Sequence, residues 1–288
     1  MKVLVIGGTK FFGIPMIKDL LAKGHDVTIA TRGVAKDAFG NTVKRIIIDK
    51  NNPKIMSDAF KNLHFDIVID KIAYCSNDIK YAIENIDFDK FIYMSTTAVY
   101  DPKTINTKEE DYNGTNKKLI WCNREDASYS EVKRQAENAL YQKYSDKNWV
   151  AVRYPVVLGK DDYTKRLLFY IENTIKSIPM NIDNLNKQMG YINSDEAGKF
   201  LSFLTDCPFS GAINGASYGT ISLGEIIEYV ENKTGSKAII DISGENAPYN
   251  EDPEFSINTE KADSLGFKFS NLKDWIYDLI DYYINIIK

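Results

Sequence analysis

The sequence predicts an α/β protein, a doubly wound parallel sheet followed by a smaller C-terminal mixed α/β substrate-binding region. Two observations carry this. Short apolar runs alternate with helical stretches through the first 158 residues, and the first run, Lys2 to Ile6, enters the glycine-bearing turn Gly7-Gly8-Thr9-Lys10-Phe11-Phe12-Gly13 just before a helix opens. A helix N-terminus offers unpaired N–H groups and partial positive charge, and glycine lets a pyrophosphate approach the backbone without meeting a Cβ. Strand, turn and helix together make a candidate phosphate cradle.

Each element has a local reason. After Phe12 the apolar positions Ile14, Ile17, Leu20 and Leu21 recur at helical spacing, Gly24 supplies a stop, and Asp26 to Ala30 reads as a second strand. Val43 to Asp49, Phe65 to Asp70, Lys90 to Ser95 and Trp149 to Tyr154 are further short apolar runs, with helices expected over Pro53 to Asn62, Ser76 to Asn85 and Ser130 to Lys143. That order predicts parallel strands covered on both faces. Past Gly159 helices alternate with shorter strands: a Ser222/Glu225 capping box opens a helix running to Thr234, and Trp275, Ile276, Leu279, Ile280, Tyr283 and Ile287 mark a last amphipathic helix. Residues 1–158 are therefore expected as the nucleotide-binding domain, its sheet completed by a strand near 211–215, and 159–288 mainly as a substrate-binding region. The cleft belongs at the carboxyl ends of the strands. Asp101 to Ala127, rich in Lys, Asn, Asp and Glu, reads as a solvated loop over that cleft.

Bulk properties set limits. The 288 residues, 44% hydrophobic, suffice for a sizeable core, and a net charge of -4 without a long basic run argues against nucleic acid as the general partner. Cys75, Cys122 and Cys207 are odd in number and far apart, which fits a reducing compartment, and with only His25 and His64 no metal-ligand cluster is expected. The N-terminal apolar segment is too short for a signal peptide or a membrane span, so a cytoplasmic, soluble protein with no membrane partner is the expectation.

Chemistry is expected where the fifth strand ends, at Met94-Ser95-Thr96-Thr97-Ala98-Val99-Tyr100, and where the next helix opens with Tyr129-Ser130-Glu131-Val132-Lys133. Tyrosine and lysine four apart share a helix face. An ammonium near a phenol favours the phenolate, by roughly 4 kcal/mol at about 4 Å and an effective dielectric near 20 before desolvation opposes it. Such a phenol suits proton exchange with a hydroxyl or carbonyl substrate, and the Thr96 hydroxyl can hold the same oxygen. Roughly two Y-x-x-x-K matches are expected by chance in such a composition. The second match, Tyr229 with Lys233, follows no hydroxyl-bearing strand and reads as surface structure.

The glycine turn, the Ser95-to-Tyr100 segment, Tyr129 and Lys133 with Glu137, Arg153 to Gly159, Gly211 to Asn214 and Thr259 to Phe267 together resemble the NAD-dependent epimerase/dehydratase family of the extended short-chain dehydrogenase/reductase superfamily, from Met1 nearly to the C-terminus. The resemblance implies a Rossmann-type fold and an NAD(P)-dependent oxidoreductase or epimerase. Hydride would move between nicotinamide and a hydroxyl or carbonyl carbon of a small-molecule substrate, a sugar or nucleotide-sugar-like compound. It assigns the acid/base to Tyr129, the lysine that lowers its pKa and binds the nicotinamide ribose to Lys133, and, counting back from Tyr100, the substrate-orienting hydroxyl to Thr96. It also implies cofactor contacts at Gly7, Thr9, Lys10, Phe11, Phe12 and Gly13, at Asp49 near the adenine, at Ile72 and Ala73, and at Lys133, Tyr154 and Val156. A homodimer built from two helices of each subunit is compatible with it.

Three departures bear on specificity. Thr31-Arg32-Gly33 stands where an acidic residue would hold the ribose of NAD, and Arg32 suits a 2′-phosphate, so NADP is the preferred cofactor and NAD the second choice. Lys10 replaces a family glycine, and the resulting turn also resembles that of chloroplast RNA-binding relatives. That keeps a non-catalytic NADP-binding sensor or RNA-binding protein as the alternative. Nucleotide-sugar members commonly carry Asn where Val156 stands and grip a diphosphate with late arginines, whereas no arginine follows Arg166 here.

Overall fold

The computed structural model describes residues 1–34 and 37–287. Six strands alternate with helices through the first half: β1 (Lys2–Ile6), β2 (Asp26–Thr31), β3 (Lys44–Ile47), β4 (His64–Asp70), β5 (Asp87–Met94) and β6 (Trp149–Arg153), with α1 (Gly13–Ala22), α2 (Pro53–Phe60), α3 (Ser76–Asn85) and α4 (Tyr129–Gln142). Shorter strands follow, β7 (Val156–Leu158), β8 (Met180–Asn181), β9 (Gln188–Met189), β10 (Tyr191–Asn193), β11 (Gly211–Asn214), β12 (Ile221–Ser222) and β13 (Glu245–Asn246). They are interspersed with α5 (Arg166–Lys176), α6 (Ser194–Phe203), α7 (Leu223–Thr234), α8 (Glu260–Ser264) and α9 (Leu272–Ile287).

The main sheet has seven parallel strands in the order β11-β6-β5-β4-β1-β2-β3, so the order reverses between β1 and β4. β1 shows why its residues were legible as a central strand. Val3 and Val5 point into the layer of α1 and α6, Leu4 and Ile6 into the opposite layer with Ile79, Ala136 and Leu140, and all four are fully buried. α5, α7 and α9 build a separate apolar cluster around Tyr170, Ile226 and Ile280. Thus β11 and α6 join the sheet although they come from the second half of the chain. Among the described residues no helix is long and apolar enough to cross a membrane.

Caps fix several helix starts. Asn52 Oδ1 accepts from the Lys54 and Ile55 N–H groups, Ser128 Oγ from Glu131 N–H, and Ser222 with Glu225 forms the expected reciprocal box.

The segment expected as a solvated loop is instead partly a strap. Residues 113–124 lie along α3 and α4: Gln142 Nε2 donates to the carbonyls of Gly114 (2.6 Å) and Lys117 (2.7 Å), Gln135 Nε2 to that of Lys118 (3.1 Å), and Gln135 Oε1 accepts from Ile120 N–H (2.7 Å). Ser76 Oγ donates to the Ile120 carbonyl and accepts from Cys122 N–H. Gln135, Asn138 and Gln142 fall on one helix face, so a polar stripe replaces an apolar one and takes up the strap's backbone groups.

Candidate active site

The carboxyl ends of β1, β4 and β5 meet at the glycine turn. Gly7 and Gly8 have φ of 89° and 88°, and a Cβ on Gly13 would lie 2.3 Å from the Gly8 carbonyl oxygen, so the turn requires glycine at these positions. Phe11 also sits in the left-handed region, at φ 54°, a conformation that costs a bulky residue of order 1–3 kcal/mol. Among the described residues the N–H groups of Thr9, Lys10, Phe11 and Phe12 meet no acceptor. Unpaired donors ahead of α1, in a turn that excludes side chains, fit a pyrophosphate. The Phe11 and Phe12 rings are buried in the core, so they frame the turn from behind, and Lys10 is exposed.

β4 ends beside this turn. Buried Asp70 accepts from the Ile72 (2.9 Å) and Ala73 (2.8 Å) N–H groups, holding Ile72 against Gly7, and burial pushes its carboxyl up to about 6. Lys71, which sequence reasoning missed, places its Nζ 3.9 Å from the Phe12 ring centroid, and burial lowers its ammonium to about 8. Its position directly after β4 was the only available signal.

Thr96, Tyr129 and Lys133 converge at the end of β5. The Thr96 hydroxyl accepts from Ala98 N–H at 3.2 Å and lies near enough to the Tyr129 phenol to lower its pKa. Lys133 is buried, donating to the carbonyls of Ala73 (2.8 Å) and Met94 (2.9 Å). The expected lysine–phenol coupling takes another form, because the ammonium is committed to those two carbonyls. Burial raises the Tyr129 phenol above its ordinary value; the nearby Thr96 hydroxyl and, more weakly, the positive charge of Arg166 oppose that rise.

Burial lowers the Lys133 ammonium to about 7. A lysine whose folded pKa lies below its unfolded value near 10.4 binds fewer protons in the fold, so stability rises with pH across that interval. The expected result is a stability gain from pH 7 to 9 in wild type that is smaller in Lys133→Met, which keeps the contribution of Lys71, measured by urea unfolding at each pH. Equal slopes for both proteins would refute the assignment.

Behind this trio lies a buried ion pair. Arg153 meets Glu137 through two bonds, Nε to Oε1 at 3.0 Å and Nη2 to Oε2 at 2.5 Å, with both side chains fully buried. Glu137 also accepts from Ser95 Oγ, which commits Ser95 to the core and leaves Thr96 facing Tyr129. Arg153 further donates to the Tyr100 hydroxyl and the carbonyls of Glu109 and Tyr112, tying β5, β6 and the following segment together.

The remaining candidates separate. Arg32 is exposed at the end of β2, and exposed Asp49 accepts from Asn51 N–H. Val156 lines a small recess of about 40 Å³ with Thr97, Met189 and Phe255. Tyr154 turns inward: its ring packs against Phe12 and Phe200 and its hydroxyl donates to the Ala197 carbonyl at 2.7 Å, so its side chain is spent on the core. Tyr229 and Lys233 both bind Asp281 on α9. His64, Asp66 and Asp89 bring ligand atoms within 4.8 Å, a grouping that counting histidines had not suggested. It is a surface cluster in which the bond that His64 Nδ1 donates to the Asp87 carboxylate raises the His64 pKa and favours the protonated, non-ligating ring.

Residues from three loops complete the mouth. Tyr74 meets the Tyr129 ring edge-on at 6.0 Å, Arg124 lies over Tyr74 with Cζ 3.9 Å from the ring centroid, and Tyr163 packs on Phe11 at 6.1 Å.

The chain is similar in sequence to the chloroplast stem-loop binding protein of 41 kDa b from Arabidopsis thaliana, 24% identical over 224 residues, which is 70% of this chain and 55% of that one. The chain thus spans about half the length of that curated relative. In fold it is similar to UDP-glucose 4-epimerase with UDP-glucose from Thermotoga maritima (TM-score 0.76, 16% identity) and to UDP-glucuronic acid 4-epimerase in complex with NAD from Bacillus cereus (TM-score 0.70, 18% identity), each pairing covering 100% of both chains. The model of the NAD dependent epimerase/dehydratase family matches residues 3–206, which include the glycine turn, Thr96, Tyr129 and Lys133, and the chain belongs to that family.

Proposed function

We propose that the protein is an NAD(P)-dependent oxidoreductase or epimerase acting on a hydroxyl or carbonyl carbon of a sugar or nucleotide-sugar-like substrate, with residues 1–158 plus β11 as its cofactor-binding unit. The observation that carries the reading is the convergence of Thr96, Tyr129 and Lys133 beside a glycine turn with unpaired N–H groups. A bound nicotinamide supplies the hydride acceptor or donor. Tyr129 holds the proton: with its phenol raised by burial it is neutral at pH 7, the form that donates to a substrate carbonyl oxygen as that oxygen gains charge. Thr96 orients the same oxygen through its hydroxyl, and Lys133 fixes the ends of β4 and β5 by bonding a carbonyl from each side. The likeness to structures holding NAD and UDP-glucose supports this substrate class, though with no arginine after Arg166 a diphosphate would be gripped differently.

Titration with NADPH and NADH, followed by a panel of sugars and nucleotide sugars assayed for hydride transfer or isomer exchange, tests the reading. Turnover of one panel member is expected, and failure to bind either cofactor would overturn it. NADP preference rests on Arg32. Arg32→Ala should weaken NADPH about tenfold, the size of a lost charge-assisted bond, and leave NADH within about twofold. Equal losses for the two cofactors would remove Arg32 from the 2′-phosphate.

The sequence similarity to a stem-loop binding protein, with exposed Lys10 in the turn, favours one second reading, an RNA-binding protein on the same fold. Tight binding of a stem-loop RNA by protein that turns over no panel member would select it.

A further inference from the structure

Along β4, Ile67 and Ile69 are buried in the layer of α1, and the next residue on that side is Lys71, one position past the strand. Its backbone stays in the sheet, the N–H donating to the Ile6 carbonyl at 3.2 Å just before Gly7. The alternation calls for an apolar side chain there, and the chain supplies an ammonium. Other lysines drawn into the fold meet oxygen: Lys90 Nζ donates to the carbonyls of Leu204 (2.8 Å) and Cys207 (2.6 Å), Lys133 to those of Ala73 and Met94, and Lys187 to the Asp183 carboxylate (2.7 Å). Among the described residues the Lys71 ammonium meets no oxygen. It is half-buried, and its Nζ lies 3.9 Å from the centroid of the Phe12 ring, at the end of the glycine turn. A ring face attracts a cation but leaves its three N–H donors without an acceptor, and an ammonium drawn from water in that state weighs against folding. Burial, with no charged neighbour contributing, lowers it only to about 8, so at pH 7 most of the charge remains. An uncompensated positive charge thus stands beside a turn whose Thr9, Lys10, Phe11 and Phe12 N–H groups also lack acceptors.

We propose that Lys71 is the charged member of the phosphate cradle, its ammonium donating to the pyrophosphate of the dinucleotide at the glycine turn. This rests on the cofactor reading above and adds to it a residue that the turn alone does not supply. Backbone N–H groups and a helix N-terminus offer a pyrophosphate only partial charges. Lys71 adds a full charge in a partly dehydrated place, where a charge-assisted bond is about twice as strong as a neutral one. The Phe12 ring holds the ammonium from one side and leaves its donors free to turn toward the ligand. Exposed Lys10 belongs to the same turn, but its charge is screened by water and salt.

Calorimetric titration of the full chain, wild type and Lys71→Met, with ADP-ribose and with inorganic pyrophosphate tests the assignment. Methionine keeps an unbranched stem against Phe12 and removes the charge, so the variant should unfold at a urea midpoint no lower than wild type. At pH 7 it is expected to bind ADP-ribose about tenfold or more weakly, and pyrophosphate with a similar loss. A second readout is independent of packing. At pH 8, close to the value of the empty site, ADP-ribose should draw about half a proton onto wild type and correspondingly less onto the variant, measured in buffers of different ionisation enthalpy. Tyr129 and Lys133, the other titrating groups of the mouth, are present in both proteins and cancel in the difference. Wild type and variant that bind ADP-ribose alike, or a weaker variant with the same proton uptake as wild type, would overturn the role of Lys71 and leave the cofactor reading standing. A wild type that binds ADP-ribose but turns over no sugar would lose the enzyme reading and keep Lys71. One that binds neither ADP-ribose nor pyrophosphate would lose both.

Discussion

Tyr129→Phe is expected to lower turnover by about 10²–10⁴-fold, the range for loss of a positioned acid or base, while the dissociation constant for NADPH stays within about twofold. The substitution removes one oxygen. The ring keeps its edge-on contact with Tyr74, and the group lost is a hydroxyl near Thr96, whose own Oγ1 is held by Ala98 N–H. A neutral hydroxyl at a half-exposed residue contributes at most on the order of 1 kcal/mol, so folding should be nearly unaffected. Turnover and cofactor affinity measured on the same preparation therefore separate a chemical role from a structural one. Turnover within a factor of two of wild type would exclude proton transfer by this phenol.

Arg153→Met should destabilise the fold by about 3–5 kcal/mol, the cost of leaving a buried carboxylate unpaired. Glu137 would keep only the Ser95 hydroxyl, and the carbonyls of Glu109 and Tyr112 would lose their donor. For a chain of this size the change corresponds to a fall in Tm of roughly 10 °C. Pairing Arg153→Met with Glu137→Leu should recover part of the loss, because the charge that needs a partner is gone as well. A single variant within about 1 kcal/mol of wild type by urea denaturation would show that the pair is not desolvated as its complete burial implies.

The central strands were legible because they are buried on both faces and so read as unbroken apolar runs, and the Ser222/Glu225 box announced α7 by its own chemistry. Spacing found Tyr129 with Lys133, and the preceding strand told that pair apart from Tyr229 with Lys233, which the fold spends on Asp281. The same uniform burial hid the inward turn of Tyr154, since a strand apolar on both sides carries no alternation to fix which way its ends face. Charge misled in one place: the 101–127 segment reads as solvated although part of it is bound to two helices, while the buried pairing of Glu137 with Arg153 left no signal in the sequence. Tyr74 and Arg124 come from separate loops, and only the folded chain shows that they stack beside Tyr129.

The strap also links two distant parts of the surface. By lying along α3 and α4 it makes the helix pair complete in cis, with the amides of Gln135 and Gln142 already saturated by the chain's own carbonyls. Those amides thereby tie the α4 surface to the segment that ends at Arg124, so a change at Gln135 or Gln142 on the far side of the helix would be felt where Arg124 covers Tyr74.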